Sequence, residues 1–185
     1  MKEVIEYIDK HLDRPIVMVG LMGAGKTRIG FELAQKLGWQ FIDADTEIEN
    51  AAGCTVSEIF ERFGEDNFRD GERRVIKRII EENKKCILAT GGGAVMNSET
   101  AELVKNHTLA IWLNTDIDVL VERTSRNDKR PLLRSGDPYQ ILSDLYDKRA
   151  PVYSDVSCLE IKGQEKSIAK MVNKILQAIQ DQTNA

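Results

Sequence analysis

The stretch "IVMVGLMGAGKTRIGFELAQKLG", Ile16 to Gly38, decides the fold. It opens on a short apolar run, Ile16 to Gly20, and passes through a glycine-rich turn. It then takes up a helical spacing of Ile29, Leu33, Ala34 and Leu37, with Gly38 as a natural stop. A continuous apolar strand feeding a helix is the first half of a parallel strand–helix unit. The turn reads G-x-x-x-x-G-K-T from Gly20 to Thr27. Glycines there let backbone N–H groups curl around phosphate oxygens, and the helix start adds its positive end. Lys26 reaches the outer phosphates and the Thr27 hydroxyl can hold Mg2+. Gly23, Ala24, Gly25, Lys26 and Thr27 are therefore expected to bind a nucleoside triphosphate.

The alternation of element types continues on both sides. Upstream, Val4, Ile5, Ile8 and Leu12 in "MKEVIEYIDKHLDRP" predict a short amphipathic helix packed on the domain. That segment has no uninterrupted apolar core and does not read as a signal peptide. Downstream, "WQFIDAD" reads as a second strand ending in acids. Thr55 to Glu58 gives a T-x-x-E capping pattern. A longer helix is expected from about Glu65 to Asn83, with Phe68, Val75, Ile76, Ile79 and Ile80 facing the core. "CILAT", a helix near Glu99 to Asn106, "TLAIWL", a helix from Ile117 and "SCLEI" follow. A last helix carries Ile168, Met171, Val172, Ile175, Leu176 and Ile179 on one stripe. Apolar strands between helices predict an α/β fold with a parallel sheet covered on both faces. Ligands then bind beyond the carboxyl ends of its strands. The polar stretch Thr124 to Gln140 has no periodicity, and its arginines, prolines and glycine predict a mobile lid.

A chain of 185 residues is expected to form one domain. Its 42% hydrophobic and 30% charged content is that of a globular protein. The net charge of -4 is spread over both signs, which excludes a dedicated nucleic-acid binder with a dominant basic stripe. Cys54, Cys86 and Cys158 are odd in number and far apart, unlike a disulfide framework or a zinc site. Cys86 and Cys158 read as small buried hydrophobes, and reduced thiols suit the cytoplasm. His11 and His107 read as surface or loop residues. No apolar run approaches the ~20 residues that span a bilayer. A monomer is expected.

Five further clusters are expected, like the phosphate loop, at the carboxyl ends of the strands. Asp43 and Asp45 close the second strand, where residues two apart share a face. One of them can orient Mg2+ or its waters and the other can accept a proton from an alcohol. A pair of solvated acids, or a cap for the following helix, is the plainer alternative. In "NFRDGE", Glu72 can hold the Arg69 fork for bidentate recognition of a carboxylate, although such pairs are more often surface salt bridges. "ATGGGAV" follows a buried strand, and three glycines exceed what a tight turn requires. They let a ligand lie directly against main chain. In "KRPLL", Arg130 of the proposed lid can swing onto the γ-phosphate. In "DKRAPVY", Arg149 is expected to end a helix before Pro151. Spacing alone leaves both arginines free to be solvated.

In this order and at these intervals, "GLMGAGKT", "DAD", "FRDGE", "GGGA", "KRPLL" and "KRAPVY" resemble the shikimate kinase family over about Pro15 to Ile161. The triple glycine with its flanking arginines separates that pattern from adenylate and gluconate kinases, which share the phosphate loop. The resemblance implies a three-layer P-loop NTPase fold with a five-stranded parallel sheet in the order 2-3-1-4-5. It implies transfer of the γ-phosphate of ATP to the 3-hydroxyl of shikimate, on the route to chorismate and aromatic amino acids, with Mg2+ as cofactor. By the same resemblance Asp45 binds the reacting hydroxyl and is its candidate base, and Asp43 is the outer Mg2+ partner alongside Thr27. Arg69 and Arg149 grip the shikimate carboxylate. Gly92 gives a backbone contact to a ring hydroxyl, and Gly91 and Gly93 shape that turn. Arg130 matches a lid arginine at the phosphates, and Arg123, in "VERTSRN", the arginine that stacks on adenine. Met1 to Arg14 lies outside the match. A gluconate-type kinase would instead need a polyol site, which gives Arg69 and Arg149 less to hold. A nucleotide-binding switch would need no acceptor site.

Overall fold

The computed structural model describes residues 1–125, 136–162 and 167–184. Strands β1 (Ile16–Val19), β2 (Gln40–Asp43), β3 (Cys86–Ala89), β4 (Leu109–Asn114) and β5 (Leu159–Lys162) form one parallel sheet in the order β2-β3-β1-β4-β5. This is the expected order. β1 is central, with Val17 paired to Leu88 on one side and to Ala110 on the other. β1 and β3 are buried along their whole length, whereas the edge strands β2 and β5 are partly exposed. Burial on both faces is why the inner strands read as unbroken apolar runs.

Around the sheet lie α1 (Lys2–His11), α2 (Lys26–Leu37), α3 (Ala44–Ala52), α4 (Val56–Glu82), α5 (Ser98–His107), α6 (Ile117–Ser125), α7 (Pro138–Val156) and α8 (Ile168–Asn184). The N-terminal helix packs on α8 and α2 and buries Ile8 and Leu12. Asp9 of α1 accepts from the Trp39 indole and from Lys85 Nζ, each at 2.8 Å. Trp39 and Lys85 precede β2 and β3, so α1 braces the amino ends of the strands, opposite the glycine loops. The α8 stripe is buried at Met171, Val172, Ile175, Leu176 and Ile179.

The expected capping box at Thr55 and the expected helix from about Glu65 are both present: Thr55 N donates to Glu58 Oε2 at 2.8 Å and Glu58 N to Thr55 Oγ1 at 3.3 Å, and α4 is two helical stretches joined at Gly64, whose φ of +79° is not helical. Three other local expectations change. Arg149 does not end a helix: α7 runs on through Pro151 to Val156, although the proline nitrogen has no hydrogen to donate. Cys158 is half-buried rather than buried, unlike Cys86. Of the stretch Thr124 to Gln140, Thr124 and Ser125 close α6, and Pro138 to Gln140 open α7, where Asp137 accepts from Tyr139 N at 3.1 Å. Residues 126–135, with Arg130, lie outside the described residues.

Candidate functional site

One side of the site is built by the turn between β1 and α2. Gly20 has φ +139°, and a methyl group there would lie 2.8 Å from the Leu113 carbonyl oxygen of β4. Main chain cannot yield, so only glycine fits. The loop ends at Gly25, which starts α2 in a left-handed conformation and leaves the first N–H groups of the helix without a side-chain cap. Those donors are available to an anion. Lys26 is 9% exposed. Its ammonium donates to the carbonyls of Gly20 at 2.8 Å and Leu21 at 2.9 Å, which holds it inside the loop. From α6, Arg123 donates to the Gly23 carbonyl at 3.3 Å.

Asp43 and Asp45 do not share a strand face, as the D-x-D spacing predicts. Asp43 caps α3: its Oδ1 accepts from Asp45 N at 3.1 Å and Thr46 N at 3.4 Å. The helix therefore begins at Ala44, and residues two apart on a helix point in different directions. Asp43 Oδ2 accepts from the Thr27 hydroxyl at 2.8 Å. Asp45 turns toward the second glycine loop, where a methyl on Gly91 would lie 3.4 Å from its Oδ1. The two acids have separated, one to each side of the cleft.

The other side is built around Gly91, Gly92 and Gly93, which follow β3. Thr90 staples the loop to β1, its hydroxyl donating to Met18 O at 3.0 Å. A side chain on Gly91 would meet Glu72 Oε1 at 2.8 Å, and one on Gly93 would meet the Arg69 guanidinium at 2.7 Å. A methyl on Gly92 would lie 3.3 Å from Arg149 Nη1, 3.4 Å from Gly20 O and 3.5 Å from Met22 N. The middle glycine is therefore wedged between Arg149 and the start of the phosphate loop. Asp45, Arg69, Glu72 and Arg149, distant along the chain, converge on this one turn. The two glycine loops abut.

Glu72 is not part of a surface salt bridge. It is 2% exposed, donated to by Arg69 Nη1 at 2.6 Å on Oε2, while Oε1 has no hydrogen-bond partner among the described residues. Arg69 remains 31% exposed and so reachable by a ligand. Burial pushes the Glu72 carboxyl above the ordinary 4.5; the Arg69 charge opposes this and Asp45 adds to it. An acid with a raised native pKa binds its proton more tightly when folded. Stability therefore falls as pH rises from the ordinary carboxyl range toward the raised value. Glu72→Gln should flatten that part of the profile, read as urea midpoints between pH 4 and 8. An unchanged slope would contradict the burial argument.

Among the described residues, no group of three or more His, Cys, Asp or Glu side chains is placed to hold a metal ion. Thr27 and Asp43 still fit Mg2+, which takes oxygen ligands and keeps waters while bound through one or two protein groups and substrate phosphates. An open groove of about 610 Å³ beside β2, lined by Gln40, Arg78 and Glu82 among others, contains none of Lys26, Asp45, Arg69 or Arg149. Sequence reasoning missed Tyr153. Its hydroxyl donates to the Gly92 carbonyl at 2.5 Å. The signal was the four-residue step from Arg149 to Tyr153, which shares a helix face only if the helix continues past Pro151.

A family model described as shikimate kinase matches residues 22–180. The chain is 46% identical over 168 residues to the shikimate kinase of Ruegeria pomeroyi, covering 91% of this chain and 86% of that one. It is 44% identical over 178 residues to that of Novosphingobium aromaticivorans, covering 95% and 92%. Among solved structures, a shikimate kinase from Acinetobacter baumannii in complex with shikimate superposes with a TM-score of 0.87 at 38% identity, over 94% of this chain and 97% of that one. A gluconokinase from Sinorhizobium meliloti, at 15% identity and a TM-score of 0.64 over 94% and 95%, shares the fold alone.

Proposed function

The chain belongs to the shikimate kinase family, and from that premise we propose how its residues carry the transfer of the ATP γ-phosphate to the 3-hydroxyl of shikimate. One observation supports the arrangement above all others: a methyl group on Gly92 would meet both the phosphate loop and Arg149, so the space between donor and acceptor sites is only a glycine wide. In-line transfer depends on holding two oxygens together, and positioning is most of what such an enzyme contributes. The loop from Gly23 to Thr27 cradles the phosphates, and Lys26 exchanges its carbonyl partners for phosphate oxygens. Thr27 and Asp43 would hold Mg2+, which neutralises phosphate charge when bound. Arg69 and Arg149 take the shikimate carboxylate in their forks, with Glu72 aiming Arg69. Gly92 offers main chain to a ring hydroxyl, between Gly91 and Gly93. Asp45 accepts the hydrogen of the attacking hydroxyl. Arg130, outside the described residues, is assigned to the γ-phosphate, and Arg123 to the adenine. The molecule acts as a monomer in the cytoplasm.

ADP release measured with shikimate, with gluconate and with no acceptor tests this. Release that depends on shikimate is expected. Equal release with gluconate would indicate a polyol kinase, and release without any acceptor a hydrolase or switch. Arg69→Ala should raise the Michaelis constant for shikimate by about tenfold or more, the scale of a lost hydrogen bond to a charged group, and leave that for ATP unchanged. A change in the ATP constant alone would misplace the acceptor pocket.

A further inference from the structure

Tyr153 is the largest side chain buried at the acceptor site, 1% exposed, and nothing in the phosphate-transfer scheme above uses it. Its ring packs against Trp112, with centroids 5.9 Å apart. The hydroxyl end is what bears on function. Tyr153 Oη donates to the Gly92 carbonyl at 2.5 Å, and Arg149 lies one turn earlier on α7, its Nη1 3.3 Å from where a methyl on Gly92 would sit. A phenol has one proton to give and lone pairs to receive. With the proton committed to the carbonyl, the hydroxyl has only lone pairs left to offer, and a guanidinium such as that of Arg149 can only donate. Burial pushes the phenol upward from its ordinary range, which keeps that proton in place.

We propose that Tyr153 is a positioning residue of the acceptor site, whose hydroxyl fixes the Gly92 carbonyl and the Arg149 guanidinium relative to each other. The consequence follows from peptide planarity. The carbonyl of Gly92 and the N–H of Gly93 belong to one rigid plane, so anchoring the carbonyl also sets the direction of that N–H. A side chain on Gly93 would collide with the Arg69 guanidinium at 2.7 Å, so the same plane lies directly beneath the second arginine. One hydroxyl thus ties together the glycine turn and the arginine of α7, with the arginine of α4 resting on the same peptide. Arg69 is held by Glu72 and Glu65 on its own helix, whereas Arg149 has Tyr153 one turn along α7. A carboxylate ligand spanning both forks needs their spacing set before it arrives, and ordering it beforehand lowers what binding must supply.

The inference rests on the shikimate kinase reading of the site, and its test separates the two. Tyr153→Phe keeps the ring and its Trp112 contact while removing the bond to Gly92. Relative to wild type it should raise the Michaelis constant for shikimate by about tenfold, with the ATP constant unchanged. In an Arg149→Ala background the same substitution should add little, because the fork it orients is gone. Thr108→Val is the control: Thr108 Oγ1 donates to Val104 O at 2.6 Å in full burial, at the amino end of β4 and away from the site. It loses a comparable buried bond and should leave both constants unchanged. An unaltered shikimate constant in Tyr153→Phe, full additivity with Arg149→Ala, or an equal shift in Thr108→Val would each overturn the proposal. So would failure of Tyr153→Phe to fold, since the hydroxyl would then determine the fold. Absence of shikimate-dependent turnover in the wild type would instead reject the underlying functional reading.

Discussion

Asp45→Asn is expected to bind ATP as the wild type does and to lose turnover by about 10²- to 10⁴-fold, the contribution of a positioned proton acceptor. The substitution keeps the shape of the side chain and removes its charge. It leaves the start of α3 intact, because the cap is Asp43, which holds the N–H groups of Asp45 and Thr46. Asp43 also retains its bond from Thr27, so the phosphate loop is undisturbed. What changes is the charge on the side that looks onto Gly91 and that Glu72 feels. ATP affinity by equilibrium titration, shikimate-dependent ADP release and a thermal melt separate chemistry from binding and folding. Retained turnover would remove Asp45 from its assigned role.

Lys26→Ala should reduce turnover by about 10²- to 10³-fold, the usual scale for deleting one preorganised donor to developing charge. The loss is large because the ammonium is buried and directed. It is gathered by the carbonyls of Gly20 and Leu21, so it already sits where the outer phosphates must pass. Arginine is no substitute, since a planar fork does not fill the place of a compact ammonium. Arg123→Ala makes the comparison. Its side chain is exposed on α6 and donates to Gly23 O at 3.3 Å. It should cost far less in turnover and act mainly on the ATP constant. An Arg123→Ala defect in turnover as deep as that of Lys26→Ala would contradict the account of the loop.

The unit from Ile16 to Gly38 was legible because two independent signals coincide there: glycines at fixed offsets and a switch from apolar run to helical period. The capping box at Thr55 and Glu58 was legible for the same reason, since a local bond pattern sits at a local spacing. Asp45 was harder. Its neighbour Asp43 chose between strand and cap through a side-chain bond to backbone, and a single carboxylate decided which way both acids point. Arg149 was read as a helix end because proline usually breaks the ladder, yet burial of Tyr153 and Val156 carries α7 onward. That one misreading hid Tyr153. The burial of Glu72 was not legible either, because charge-rich "RDGERRVIKR" resembles a solvated helix face. Only packing of α4 against the glycine turn tells Glu72 from its neighbours. Convergence of Arg69, Glu72, Gly92 and Arg149 is a property of topology, and spacing along the chain carries no trace of it.

The most direct measurement is a crystal structure of the complex with ADP and shikimate. The shikimate carboxylate should lie in the forks of Arg69 and Arg149, with the 3-hydroxyl within hydrogen-bond reach of Asp45, about 2.7 Å, on the side of the loop where Lys26 meets the last phosphate. A carboxylate bound elsewhere, or a 3-hydroxyl turned away from Asp45 and Lys26, would contradict the claim that the two glycine loops form facing halves of one site.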